Sequence, residues 1–166
     1  MKSIMHFAYT GSIFWDEVNN LIDLIKDADF FGIDDIKEEG IKILASELSL
    51  SNAIEAYYLS DTYSSTLLKD KSRKFILDNF DVLSDTSAFL KLTTNSFKDI
   101  LSNNSSTSCV EKIFEGFLRW IAADLERRKS CFIEIFELTQ FCRIDAHKII
   151  KIATNEKTLS GSLQHK

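Results

Sequence analysis

Not one of the 166 residues is proline and only five are glycine, where average usage of about 5% would give roughly eight prolines. A chain without proline can run helix into helix, and the scarcity of both residues argues against a sheet protein built on many tight turns. The apolar spacing agrees. In residues 108–127, Val110, Ile113, Phe114, Phe117, Leu118, Ile121 and Leu125 recur at steps of three, one, three, one, three and four, which is one broad face of an α-helix. Ser108 with Glu111 three residues on reads as its capping box. Gly116 interrupts it at a helix-interior cost of about 1 kcal/mol. That cost fits a place where a neighbouring helix, or the indole of Trp120, takes the space of a side chain.

The same period recurs along the chain. Residues 2–10 make a short helical pattern stopped at Gly11, and Ser12 to Trp15 is an extended link. Asp16 caps a helix carrying Val18, Leu21, Ile22, Ile25 and Ala28 that ends at Phe31-Gly32. Asp34 is expected to cap the next, through Ile36, Ile41 and Leu44. A helix from Leu50-Ser51-Asn52 carries Ile54, Tyr57, Tyr58 and Leu59. Another follows Ser64-Ser65 through Phe80. Thr86 caps a short helix at Phe89-Leu90, and one more runs from Asn95 to Leu101. The run from Ser102 to Ser108 has no apolar residue and is a loop. Helices are then expected at 110–127, at 129–138 and at 145–153, with residues 154–166 a frayed tail. Short links between helices favour antiparallel neighbours, so the fold class is all-α, a stack of antiparallel helical hairpins.

Composition narrows the function. An apolar fraction of 45% with 13 Phe suffices for a packed core. The net charge of −5 is spread through the chain, which leaves no electrostatic footprint for nucleic acid. Arg127-Arg128-Lys129 is read as a solvated helix end. No stretch approaches the roughly 20 apolar residues of a membrane span. Cys109, Cys131 and Cys142 lack metal spacing and look like reduced thiols of a cytoplasmic or nuclear protein, with Cys131 a core thiol.

Nothing in the sequence assembles an enzyme. His6, His147 and His165 are far apart and have no carboxylate or thiol at ligand spacing. Asp34-Asp35 and Glu38-Glu39 are explained as a cap and a solvated face. No phosphate loop, nucleophile elbow or metalloprotease motif is present. We therefore expect no catalytic residues, metal or cofactor. The remaining candidates are large aromatics at helix links, Phe14-Trp15 and Phe30-Phe31. They either plug gaps between helices or anchor a partner.

At this point the residues resemble a family. F-A-Y-T-G-S-I (Phe7 to Ile13), with V-x-x-L-I-x-L-I-K-D-A-D-F-F-G-I (Val18 to Ile33), looks like the final helices of a BTB (POZ) domain. L-S-x-S-N-A-I (Leu48 to Ile54), Y-L-S-D-T-Y (Tyr58 to Tyr63) and K-F-I-L-D-N-F (Lys74 to Phe80) are similar to the start of a BACK domain. I-F-E-G-F-L-R-W-I (Ile113 to Ile121) is its most recognisable segment. The resemblance, to the BTB-BACK part of Kelch-like proteins, divides the chain into a BTB remnant (1–46), a BACK domain (47–153, with the three-box at about 47–80) and the tail (154–166).

It implies a non-catalytic adaptor of cullin-3 RING ubiquitin ligases. Phe31, Ser51, Asn52, Ile54 and Tyr58 fall where the family meets the cullin, and cullin-3 or other BTB-containing proteins are the implied partners. The sequence departs from the family pattern in three ways. It begins inside the late BTB helices, ends without Kelch repeats, and has Thr139-Gln140-Phe141-Cys142 where the family writes valine-arginine-aromatic-proline. The alternative is therefore a structural fragment or inhibitory remnant that needs a longer chain or a heteromeric partner, with no cullin binding of its own.

Overall fold

A computed structural model describes residues 18–102, 110–138 and 147. The helices expected at 2–10 and 145–153, the caps Asp16 and Ser108, the loop after Ser102, Phe14-Trp15, Cys109, Cys142 and the tail lie outside the described residues. Among those described, every regular element is helical and none is a strand, as the proline-free, 3.6-periodic sequence requires. The chain divides into two compact units, Met1–Phe75 and Ile76–Lys166.

In the first unit, α1 (Val18–Phe30) and α2 (Asp34–Ser46) form a hairpin. α3 (Ala53–Thr62) and α4 (Thr66–Asp78) follow, the last few residues of α4 belonging to the second unit. Leu21, Ile22, Leu24, Ile25 and Ala28 of α1 are buried with Ile36, Ile41, Leu44 and Ala45 of α2, Ala56 and Leu59 of α3, and Leu68 of α4. These are the apolar steps of the sequence, now closed on one another. Gly40 lets the hairpin approach closely, since a Cβ there would lie 2.8 Å from Ile25 Cγ1. Asp34, expected to cap α2, is instead its first residue. Ile33 holds the cap position without a side-chain bond, and Asp34 and Asp35 place negative charge in the first turn, where the helix dipole favours it.

The second unit contains α5 (Phe80–Leu83), α6 (Ser87–Leu90), α7 (Thr94–Ser102), α8 (Val110–Ala123), α9 (Leu125–Arg128), a 3₁₀ turn (Lys129–Cys131) and α10 (Phe132–Leu138). Thr86 caps α6 as expected, its hydroxyl accepting from the Phe89 N–H at 3.3 Å. Ile113, Phe114, Phe117 and Ile121 of α8 are buried. Around them the aromatic rings form one connected core. Phe80 meets Phe89 edge-on at 5.0 Å, Phe89 meets Phe97 at 5.7 Å, and Phe97 stacks on Trp120 at 4.4 Å. The space opposite Gly116 is taken by a neighbouring helix rather than by Trp120. A Cβ there would lie 2.5 Å from Phe80 Cε1 and 2.9 Å from Ser84 Cβ.

Three expectations for the 108–129 segment change. The helix stops at Ala123, and Asp124 leaves helical geometry with φ −151° and ψ 68°. Leu125 therefore leaves the apolar face and is 55% exposed. Trp120, outside the apolar period as first read, is fully buried and donates its indole N–H to the Leu92 carbonyl at 3.0 Å. Arg128, expected in a solvated helix end, is drawn inward over Trp120, whereas Arg127 and Lys129 on either side are exposed.

Candidate interaction surface

The end of α1 is built by its backbone. Gly32 has φ +68°, its N–H donates to the Asp29 carbonyl at 3.1 Å, and the Ile33 N–H donates to the Ala28 carbonyl at 2.8 Å. This pair of bonds with glycine in the left-handed region is a Schellman motif. Ile33 packs back on the first unit's core, so the chain reverses while Phe30 and Phe31 are left outside. Phe30 is 83% exposed and Phe31 55%, their rings edge-to-face at 5.2 Å. The expectation that this pair plugs a gap between helices does not hold.

Charge surrounds the pair. Lys37 donates to Asp29 at 3.2 Å and lies 2.7 Å from Asp34, so it spans the turn between α1 and α2. Its hydrogen bonds to Asp34 and then Asp29 raise its pKa. Lys26, one turn before Phe30, donates to Glu55 of α3 at 2.9 Å, and that bond raises its pKa as well. Glu55 and Tyr58 are three apart and share a face of α3, so the Lys26–Glu55 bridge joins the helix that bears Phe30 to the one that bears Tyr58.

The other four candidates lie at the start of α3 and divide by burial. Asn52 is buried, and its side chain reaches backward rather than into its helix. Oδ1 accepts from the Ser49 N–H at 2.8 Å and Nδ2 donates to the Glu47 carbonyl at 2.9 Å. This staple fixes the link between α2 and α3 and leaves Leu50 and Ser51 outside. Ile54 is also buried. Ser51 is exposed, its hydroxyl 2.9 Å from that of Ser49, and Tyr58 is exposed with its ring edge-on to Tyr57 at 5.9 Å. Phe31, Ser51 and Tyr58 are thus available for contact, while Asn52 and Ile54 hold structure beneath them.

Leu50 was missed in the sequence, whereas Phe30 was singled out with Phe31 as an aromatic at a helix link but stood outside the cullin-facing set. Phe30 had a visible signal, since it follows Asp23 and Lys26 on the polar stripe of α1, at seven and four residues' distance. Leu50 had none, because the Asn52 staple that exposes it is not periodic.

No catalytic arrangement accompanies this surface in the described residues. Cys131 is buried, its Sγ donating to the Arg128 carbonyl at 2.9 Å. His147 is exposed. Asp35, Glu38 and Glu39 are exposed, and no group of three or more His, Cys, Asp or Glu gathers to hold a metal among the described residues. No described helix is long and apolar enough to cross a membrane.

Short helices closed on an aliphatic core in the first unit and an aromatic one in the second, with Phe30 and Phe31 held outward at a helix turn, define a helical-hairpin protein. The BACK family, described as BTB And C-terminal Kelch, matches residues 53–154, and the chain belongs to it. Similar proteins include Kelch-like protein 40 of Xenopus laevis, 26% identical over 161 residues that cover 91% of this chain and 26% of that protein. Human Kelch-like protein 13 is 30% identical over 128 residues, 76% of this chain and 19% of its own. Mouse Kelch-like protein 9 is 32% identical over 122 residues, covering 73% and 20%. The chain spans about a quarter or less of the length of these relatives.

Proposed function

We propose that the chain is a non-catalytic protein-interaction module, the BTB-BACK part of a Kelch-like substrate adaptor for cullin-3 RING ubiquitin ligases. Residues 1–46 form the end of the BTB domain, 47–153 the BACK domain with the three-box at 47–80, and 154–166 a tail. Family membership supports the adaptor class. The observation that carries the binding reading is the outward position of Phe31, backed by the exposed Ser51 and Tyr58 on the three-box. Asn52 and Ile54 act as positioning residues.

The test is association of the purified chain with the cullin-3 N-terminal region, for the parent and for Phe31→Ala and Tyr58→Ala. Loss of an aromatic anchor is expected to weaken binding about tenfold. No association at roughly 50 µM would remove the cullin assignment and leave the alternative, a module that works only as part of a longer or heteromeric assembly.

A further inference from the structure

The tip of the α1–α2 hairpin combines two features that the family assignment does not use. The first is that Phe30, the residue beside the proposed cullin contact, is the more exposed of the aromatic pair. The second is the charge around it. Residues 29–37 carry the exposed Asp29, Asp34 and Asp35 with Lys37, a formal −2 in a chain whose total is −5. Lys37 answers Asp29 and Asp34 across the turn. Lys26 on the neighbouring turn is bridged to Glu55, and Asp23 lies on the same stripe.

We infer that the Phe30–Phe31 tip docks into an apolar pocket rimmed by basic side chains on a protein partner. The aromatic pair supplies the apolar contact, and the carboxylate rim sets what can surround it. A second copy of the chain would bring one acidic rim against another, which opposes self-association through this face. An anionic membrane surface and a nucleic acid backbone are repelled for the same reason. A basic-rimmed pocket attracts the rim during encounter and buries the rings on docking, so association falls with salt while the aromatic contribution persists. The inference deepens the adaptor reading and rests on it for the claim that this tip meets a protein.

The probes are two labelled amphipathic helical peptides of equal length, one of Leu and Lys and one of Leu and Glu, together with the cullin-3 N-terminal region, each titrated at low and high salt. The Leu/Lys peptide is expected to bind and the Leu/Glu peptide not. Phe30→Ala should weaken the Leu/Lys complex about tenfold, Asp34→Asn with Asp35→Asn should flatten its salt dependence, and Leu125→Ala, at an exposed leucine of the other unit, should change nothing. Phe30 is a surface side chain, so its loss leaves the fold intact.

Equal binding of the two peptides, or Leu/Lys binding indifferent to Phe30→Ala, overturns the inference. If the cullin region binds and neither it nor the Leu/Lys peptide responds to Phe30→Ala, the adaptor reading survives and the inference does not. If only the Leu/Lys peptide binds, and through Phe30, the inference stands and the cullin assignment falls.

Discussion

The guanidinium carbon of Arg128 lies 4.1 Å from the centre of the Trp120 indole, while Phe97 stacks on the same indole at 4.4 Å. Two groups cannot both approach one face of a ring so closely, so they take opposite faces and Trp120 is held between them. Arg128 also donates to the Trp120 carbonyl and, at 2.8 Å, to the Leu90 carbonyl. A single side chain thus ends α8 and secures the turn after α6. Arg128→Met should destabilise the chain by about 2–4 kcal/mol, from the lost cation–π contact and the carbonyls left without a donor. Arg128→Lys should recover only part of this, because an ammonium lacks the planar fork. Guanidinium unfolding curves of the three proteins decide the matter. Equal midpoints for Met and parent would refute the role given to Arg128.

Gly116→Ala tests packing against propensity. Alanine gains about 1 kcal/mol over glycine inside a helix, so an exposed site would be stabilised. Here the new methyl would press on the buried Phe80 ring, and overpacking costs about 1–3 kcal/mol. We expect a net loss of roughly 1 kcal/mol or more. Adding Phe80→Leu to the alanine variant should cost less than it does in the parent, measured as a double-mutant cycle.

Serine stands where glycine would be easier at the end of α3. Ser64 has φ 51°, its N–H reaches the Asp61 carbonyl at 3.4 Å and the Ser65 N–H reaches that of Ser60 at 2.9 Å, the same motif that Gly32 makes after α1. Ser64→Gly should raise stability by about 0.5–1 kcal/mol, read as a higher unfolding midpoint. A lower one would contradict the strain assigned to this position.

The staple made by Asn52 predicts that Asn52→Ala costs about 1–2 kcal/mol, because it removes both bonds of a buried side chain to the part-buried Ser49 N–H and Glu47 carbonyl. Asn52→Asp keeps the acceptor for Ser49 and loses the donor for Glu47, so it should fall between. The informative readout is protease susceptibility of the 47–51 link, which should increase in both variants before global unfolding. Unchanged cleavage would mean that the link is fixed by something else.

The carboxyl of Asp81 is held below its ordinary value of 3.8, first by the hydrogen bond from Lys112 and then by the Val82 N–H. A folded pKa lower than the unfolded one adds stability that is fully present above the ordinary carboxylate value and is lost as pH falls from there through the lower, folded value. Lys112→Met should move Asp81 back toward 3.8 in a carboxyl-detected titration. An unmoved Asp81 would show that the backbone bond dominates.

The fold was legible to the extent that it depends on period. Leu21, Ile25 and Ala28, or Phe114, Phe117 and Ile121, were chosen by spacing and are buried because a helical stripe has one apolar side to hide. The fate of Leu125 was not legible, because the break at Asp124 is a backbone event with no glycine or proline to announce it. Trp120 and Arg128 were not legible singly because the indole face that Arg128 covers and the carbonyls it reaches come from different helices. At the surface, resemblance drew notice to Phe31, but it could not separate the exposed Ser51 and Tyr58 from the buried Asn52 and Ile54. That division is decided by where side chains find hydrogen bonds, which spacing does not encode.

The motif that closes α1 has a consequence for energy as well as shape. Phe30 and Phe31 project from a reversal whose two backbone bonds and left-handed glycine form when the hairpin folds, so little conformational freedom at their backbone remains to be lost when something touches them. Gly32 has nothing within 4 Å of where its Cβ would lie, and an alanine there would meet no neighbour, only an unfavourable dihedral. Such a substitution would strain the turn and loosen the aromatic pair without removing an atom of it, weakening a complex with its contact surface unchanged.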